Sequence, residues 1–483
     1  MTAIDRKQAL VAVDLGAESC RVSLLRFHNG SPVIRLVHRT ANGPVETGGQ
    51  LHWDFDAIYA SVLTGLHKCA ELAPEGIAAI GVDGWAVDNV RLDGNGNAIG
   101  QPFCYRDERT VTAVEKLQHT ISADRLYELT GAQDIRINTL YQLYSDTLHG
   151  VPGDAMWLNL PEYLTYLLGG RKVSEYTNAT HTQMLGVDNR EWVLEILAAA
   201  GLSAAAMPEM VRPGTVVGTL AGELAEFPAF HGTKLIVPAC HDTASAIAGI
   251  PVTGADDWAY ISSGTWSLVG TVVQKGSTGP EARAENLTNQ GGTGGINLQK
   301  NVNGMWLIRQ CIEQWKLDGK DWDIAELVEA SSGCEEPQHL LDVDDPSLML
   351  PGDMPARINY HLQSHGHLPL SEGPENAPRY ACLIFHSLAA RYKQVIDHLA
   401  SISGKELRRL FIVGGGSRNA FLNELVGKAT GLAVVPSSPE SSTLGNFAVQ
   451  LASLEENPGT QGVSSAAVGR WATVLNEPGV LQH

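Results

Sequence analysis

Thiol chemistry has little to work with in this chain. Its 483 residues hold seven cysteines, Cys20, Cys69, Cys104, Cys240, Cys311, Cys334 and Cys382, an odd number with no CxxC pair among them. That scatter argues against a disulfide framework or a zinc site and fits a reducing cytoplasm. Long hydrophobic runs are missing too: no apolar stretch approaches the ~18 residues of a membrane span. The opening segment Met1–Gln8 has no apolar signal core, so a cytosolic protein is expected. Positive charge is scarce, with 34 Lys and Arg against 53 Asp and Glu and a net charge of −19. Long-range repulsion of that size disfavours nucleic acid or an anionic membrane as partner. The G-x-x-x-x-G-K-[ST] loop is absent, because Gly319-Lys320, Gly404-Lys405 and Gly427-Lys428 all lack the upstream glycine or the following hydroxyl. The commonest ATP-binding fold is thereby excluded, and no low-complexity tract is present.

What remains is the profile of a loop-rich globular enzyme: 44% apolar residues, 18% charged residues and 50 glycines. The length exceeds what one core usually serves, so two domains, with a third conceivable, are expected. Leu10 to Leu15 reads as a strand, followed by a glycine-containing turn, a strand from Val22 to Phe27, the hairpin signal Asn29-Gly30 and a strand from Val33 to His38. Ile58, Val62, Leu63, Leu66 and Cys69 then repeat at helical spacing within Asp56 to Leu72, and Ile80-Gly81-Val82-Asp83 reads as a buried strand. Three antiparallel strands followed by helix and strand predict a mixed α/β sheet of the ribonuclease-H kind.

The theme returns in the second half, with strands from Trp258 to Ser262 and Trp266 to Val272 around the turn Ser263-Gly264-Thr265. Duplication is implied: two related domains facing each other across a cleft, cut near Gly249 to Asp257, giving domains 1–250 and 251–483. A long helix traced by Leu383, Leu388, Tyr392, Val395, Ile396 and Leu399 precedes a strand Leu410–Val413, a turn Gly414-Gly415-Gly416, a helix around Phe421–Val426 and a strand Leu432–Val435. Its glycine turn sits at a strand's carboxyl end, where α/β sheets bind ligands. Pro280–Asn286, Ser331–Gln338 and Gln363–Ala377 read as surface loops.

Three places carry candidate chemistry. Asp14 through Arg21 form a turn between strands whose backbone N–H groups suit phosphate oxygens, with Gly16 permitting close approach and Asp14 able to hold Mg²⁺ through water. An ordinary hairpin turn is the bland alternative. Gly414 to Gly416 offer a flat surface to adenine or ribose, against a reading in which glycine serves only positive φ. Asp242, between the apolar run Lys234–Val237 and a helix-forming stretch, suits a general base for a hydroxyl with His241 and Thr243 beside it; its bland reading is a helix N-cap. His181 and the cysteines read as structural. Arg106-Asp107-Glu108-Arg109 is either a solvated charge cluster or, with Trp85 and Asp88, the lining of a polar pocket.

Several runs, in order along nearly the whole chain, resemble the FGGY carbohydrate kinases of the actin, Hsp70 and sugar-kinase superfamily. They are Val11–Ala17, Tyr105–Thr110, Ile137–Leu143, Glu175-Tyr176-Thr177-Asn178-Ala179-Thr180, His241–Ala246, Ser262–Leu268 and Ser442-Thr443-Leu444-Gly445-Asn446. The resemblance implies two ribonuclease-H-like domains, the first binding sugar and phosphate and the second nucleotide. It makes Asp242 the proton acceptor, Ala86, His241, Thr243 and Asn301 sugar contacts, and Ala17, Glu18, Ser19, Cys20, Arg21, Thr265, Arg309 and Gly415 ATP contacts. The implied activity is ATP- and Mg²⁺-dependent phosphorylation of L-rhamnulose, a deoxyketohexose, at O1. L-fuculose or another ketose is the alternative within the family, and an actin- or Hsp70-like ATPase acting on a protein is the alternative from another class. Three departures stand out: Glu18 and Cys20 replace small residues, Ala86 replaces glycine, and Arg309 replaces glutamine. Glu18 beside a γ-phosphate is repulsive unless it points away.

Overall fold

A computed structural model describes residues 8–252, 256–350, 352–457, 459 and 461–482. The chain forms two compact α/β units: residues 1–254, 272–298 and 441–483 make the first, and residues 255–271 and 299–440 the second. The chain therefore passes between units more than once, where a single cut was expected. Of the expected cut at Gly249 to Asp257, residues 253–255 lie outside the described residues, as do residues 1–7 of the opening segment.

The first unit is built on strands β1 (Ala9–Leu15), β2 (Ser19–His28) and β3 (Ser31–Ala41), followed by helix α1 (Phe55–Leu72) and the strand Ile77–Gly84. β1 pairs antiparallel with β2 and parallel with Ile77–Gly84, so the sheet is mixed as predicted. Lys234–Ile236 extends it in parallel on one side, and Leu481–Gln482 lies parallel to β3 on the other. Both faces of β1 are buried. Val11, Val13 and Leu15 pack with Ile58, Val62 and Leu66 of α1, while Leu10 and Ala12 pack with Leu444, Phe447, Ala448 and Trp471. This period-two division explains why β1 reads as an unbroken apolar run that ends on one charge, Asp14.

Two close approaches hold the helix Ser441–Glu456 against the helix Asp242–Ala248. A Cβ on Gly445 would stand 1.8 Å from the Ser245 carbonyl oxygen, and one on Gly249 would stand 2.3 Å from that of Ser441. No larger residue fits at either place. Asn446 and Gln450 of the same helix reach the sheet itself, Asn446 Nδ2 donating to Gly81 O at 3.2 Å and Gln450 Nε2 to Val11 O at 2.9 Å.

The second unit repeats the strand plan. Trp258–Ser263 pairs antiparallel with Trp266–Val273 and parallel with Arg409–Val413, which is parallel to Ala433–Pro436. The long helix spans Ala377–Ser403 and ends on Gly404 at φ 67°, a left-handed stop that glycine adopts without strain. One loop expectation fails: within Pro280–Asn286 the structure has a short helix, Pro280–Ala284. Proline at its first position is already set to a helical φ and has no N–H to leave unsatisfied, a start signal the loop reading overlooked.

Candidate active site

In the first unit, strand register brings the acidic residues together. Asp14 lies next to the end of β1, opposite Arg21 on β2 and Asp83 on the parallel strand. Gly84, one residue on, forms an isolated parallel bridge with His241 and donates its N–H to Cys240 O at 2.9 Å. The loop that ends in Asp242 is thereby seated at the carboxyl end of the central strands. Ser442 Oγ donates to Asp14 Oδ2 at 2.9 Å, and Arg21 Nη1 stands 3.4 Å from the same oxygen. Asn446 Nδ2 donates to Asp83 Oδ2 at 3.0 Å, whereas Asp83 Oδ1 is buried with no hydrogen-bond partner. Burial first, and then the neighbouring Asp14 carboxylate, hold the Asp83 carboxyl well above the usual range; Ser245 and Asn446 oppose that shift.

Asp242 opens the helix Asp242–Ala248, with His241 as its N-cap residue. The polar contacts of its carboxylate converge on one oxygen. Oδ1 accepts from Thr243 N at 2.5 Å and from Thr243 Oγ1 at 3.2 Å, and His241 Nε2 stands 3.3 Å away. Oδ2 has no partner among the described residues. The fixed oxygen orients the carboxylate while the other remains available to take a proton, which a plain cap would not require. Although 34% of the side chain is open, the enclosed remainder pushes the carboxyl up to about 6, against the opposing hydrogen bonds of Thr243 and the Arg21 charge.

His241 is locked in a neutral form. Gln290 Nε2 donates to its Nδ1, so the ring proton lies on Nε2, 3.3 Å from Asp242 Oδ1. Burial drives the imidazole down to about 3, and the ring of His181 stands 4.4 Å away, edge-on. Beneath this loop lies a pair of buried acids. Glu175 Oε2 accepts from Cys240 N at 2.8 Å and from Thr177 Oγ1 at 2.5 Å, and that hydroxyl accepts from His241 N at 3.1 Å. Glu162 Oε2 accepts from Asn178 Nδ2 at 3.0 Å. Burial pushes Glu175 up to about 8 and Glu162 up to about 7.

The β1–β2 turn needs its glycine, since a Cβ on Gly16 would meet Ser19 O at 2.5 Å. Asn42 holds this turn, donating from Nδ2 to Gly16 O at 3.0 Å and from its N–H to Glu18 O at 2.9 Å. Ser19 and Cys20 are buried, with Cys20 pushed by burial up to about 12, which makes it an inert thiol. Glu18 is exposed, and its charge acts on Arg106. That neighbour offsets part of the expected repulsion. The rest of the Arg106–Arg109 cluster is structural: Asp107 accepts from Leu51 N at 2.7 Å, and Arg109 pairs with Asp146 at 2.5 Å. Ala86 is buried, two residues past Gly84.

The remaining site candidates lie in the second unit. Thr265 is in the turn between Trp258–Ser263 and Trp266–Val273, and its carbonyl accepts from Trp306 N at 3.0 Å, at the start of the helix Trp306–Leu317 that carries exposed Arg309. Asn301 lies on the strand Ile296–Asn303, half-buried. The three glycines divide by role. A Cβ on Gly416 would meet Ser263 Oγ at 1.9 Å, and Gly414 has φ 79° and would meet Ser263 O at 2.8 Å; Gly415 faces open space. The helix after them does not begin at the glycines: a short 3₁₀ turn, Gly415–Arg418, intervenes, and Asn419 caps the helix Ala420–Thr430 by accepting from Leu422 N at 3.0 Å.

The chain matches the FGGY family of carbohydrate kinases, its N-terminal domain over residues 9–249 and its C-terminal domain over residues 259–454. It belongs to that family. A rhamnulokinase of Bacteroides thetaiotaomicron is 37% identical over 456 residues, covering 93% of this chain and 92% of that protein. A rhamnulokinase of Pectobacterium carotovorum is 36% identical over 92% of this chain and 88% of its own length. Among solved structures, a ligand-bound xylulose kinase from Lactobacillus acidophilus has a TM-score of 0.76 at 16% identity, covering 96% of this chain and 92% of that one. Plasmodium falciparum glycerol kinase with ADP has a TM-score of 0.74 at 14% identity, with the same coverage of each chain. The fold of this FGGY kinase is thus that of the sugar kinases, and its reaction is phosphoryl transfer to a carbohydrate hydroxyl. Sequence reasoning missed Asp83, Glu162, Gln290 and Asn446. Asp83 had left a signal, a lone charge near the end of an apolar strand as Asp14 is, and Asn446 closes the run Ser442–Asn446; Glu162 and Gln290 are legible only through the fold.

Proposed function

We propose that this FGGY kinase transfers the γ-phosphoryl group of ATP to O1 of L-rhamnulose. The choice of sugar is supported by the rhamnulokinases matched over nearly the whole chain. The chemistry is supported by the Asp242 carboxylate, anchored through one oxygen with the other free. Oδ2 takes the proton of the O1 hydroxyl as the new O1–P bond forms and the bond from the γ-phosphorus to ADP breaks. His241, Thr243 and Ala86 in the first unit, and Asn301 in the second, contact the sugar. Ala17 to Arg21, Thr265, Arg309 and Gly415 contact ATP, so residues 1–250 carry most of the sugar and phosphate contacts and residues 251–483 the nucleotide contacts together with Asn301.

Mg²⁺ fits the acidic end of the first sheet, where the unpaired buried oxygen of Asp83 lies near Asp14. Asp14, with Asp83 behind it, would hold the ion, which supplies charge neutralisation to the phosphates. Among the described residues no three His, Cys, Asp or Glu gather tightly enough to cage a metal. That agrees with a cation held by one or two carboxylates, water and substrate phosphates. No described helix is long and apolar enough to cross a membrane, and the reading is of a cytoplasmic enzyme. A coupled ADP-release assay over L-rhamnulose, L-fuculose, D-xylulose, L-ribulose and glycerol tests the proposal. L-rhamnulose should give the highest kcat/KM; a better L-fuculose would replace the substrate, and sugar-independent ADP release would overturn the kinase reading.

A further inference from the structure

Between the strands Ile77–Gly84 and Asn89–Leu92 the chain makes a tight three-residue turn. Asp88 N donates to Ala86 O at 2.9 Å, closing a ring of three residues, and the central residue, Val87, has φ 71°. This is the γ-turn of positive φ, the rare and strained form. A β-branched side chain is the least suited to it. The other described non-glycine residues at positive φ are asparagines, a glutamine and an arginine, so Val87 is alone in its kind.

The surroundings hold this turn in place. Val87 O accepts from Thr139 Oγ1 at 2.7 Å and from Gln142 Nε2 at 3.3 Å. Asp88 Oδ2 accepts from the indoles of Trp53 at 2.6 Å and Trp85 at 2.9 Å, and Asp88 Oδ1 from Gln142 Nε2 at 2.9 Å. Asn159 Nδ2 donates to Asp88 O at 3.1 Å. Strain of this kind persists where the surrounding structure over-determines it. The turn starts just beyond Gly84, whose backbone bridges His241, the neighbour of Asp242.

We propose that the Ala86-Val87-Asp88 turn is a substrate-positioning device: the clamped, strained Val87 fixes the backbone of Ala86 as a rigid wall for the sugar beside Asp242, and thereby sets selectivity among ketoses. The inference rests on the kinase reading above. It makes Val87, Thr139 and Gln142 positioning residues, acting through the Ala86 backbone. A glycine at position 87 would relax the turn and let it sample other conformations. An alanine would lose the same isopropyl contacts yet keep the backbone restriction of a side chain.

The test compares Val87→Gly with Val87→Ala in the full-length enzyme, using whichever ketose the wild type turns over fastest. Failure of the L-rhamnulose assignment is then seen in the wild type alone and does not touch this comparison. Relief of strain should make the glycine variant melt at least about 2 °C above the alanine variant. Its kcat/KM for the ketose should nonetheless be lower by about five-fold, with the loss in sugar KM, narrower discrimination between ketoses and an unchanged KM for ATP. Thr139→Val should raise sugar KM in the same way, and Thr139→Ser should restore it. A glycine variant no more stable than the alanine variant would overturn the strain. Equal ketose kinetics in the two variants, or a parallel change in KM for ATP, would overturn the positioning role.

Discussion

The two hairpins that open the two units share a plan and differ in chemistry. In each, a strand pairs antiparallel with its successor and parallel with a later strand. The next-to-last residue of the first strand is Asp14 in one unit and Ser262 in the other. Its parallel neighbour is Asp83 in the first and Val413 in the second. One scaffold therefore ends in two carboxylates, with Asp83 held well above the usual range by burial, the other in hydroxyls, an apolar side chain and three glycines that give backbone to a ligand. Proton transfer and cation binding suit the former, and an uncharged platform for a nucleotide suits the latter.

Breaking the acidic end should have the largest effect. Asp242→Asn should lower kcat by roughly 10²–10⁴-fold, the usual worth of a general base, with ATP binding retained. Single-turnover transfer and nucleotide titration measure both, and a variant with near-normal turnover would leave Asp242 as a helix-start residue only. The glycine platform should give a smaller and different loss. A Cβ on Gly415 meets no protein atom within 4 Å, so Gly415→Val should fold normally while its KM for ATP rises roughly ten-fold, the equivalent of about 1.4 kcal/mol, and sugar KM stays put. Equal weakening of both ligands would contradict the division of labour.

Acidity sharpens the contrast further. Because the Asp242 carboxyl titrates at about 6, kcat/KM for the sugar should fall as pH drops through that value, tracking the ionised form of the free enzyme. The smallest effect concerns stability. Glu175 and Glu162 bind protons in the folded state up to about pH 8 and 7, whereas the unfolded chain releases them near pH 4.3. The folded state thus holds more protons between those limits, and stability should decline as pH rises from about 5 to 8. Melting scans of Glu175→Gln should show a shallower decline than the wild type; an identical slope would mean Glu175 is ionised throughout.

Much of this was legible before the fold. β1 and β2, α1 and the repeated hairpin follow from apolar periodicity, because burial on both faces of a strand, or on one stripe of a helix, writes itself into adjacent residues. Asp242 was legible as a charge between a strand and a helix, though its unshared oxygen was not. Glu175, Gln290 and Asn446 act through partners distant in sequence, at Cys240, His241 and Asp83, and local pattern carries no trace of such pairs. The same holds for Val87: composition favours a strand there, and the tertiary clamp of Thr139 and Gln142 overrides it.

The central claim is that the acidic end of the first unit directs the phosphoryl group to a sugar hydroxyl and not to water. Phosphorus NMR of the reaction with ATP, Mg²⁺ and L-rhamnulose reads this outcome without a coupling enzyme. The account predicts ADP together with a new phosphomonoester split into a triplet by the two protons of a CH₂–O–P group, as phosphorylation at O1 requires. ADP and inorganic phosphate with no new phosphomonoester would contradict it.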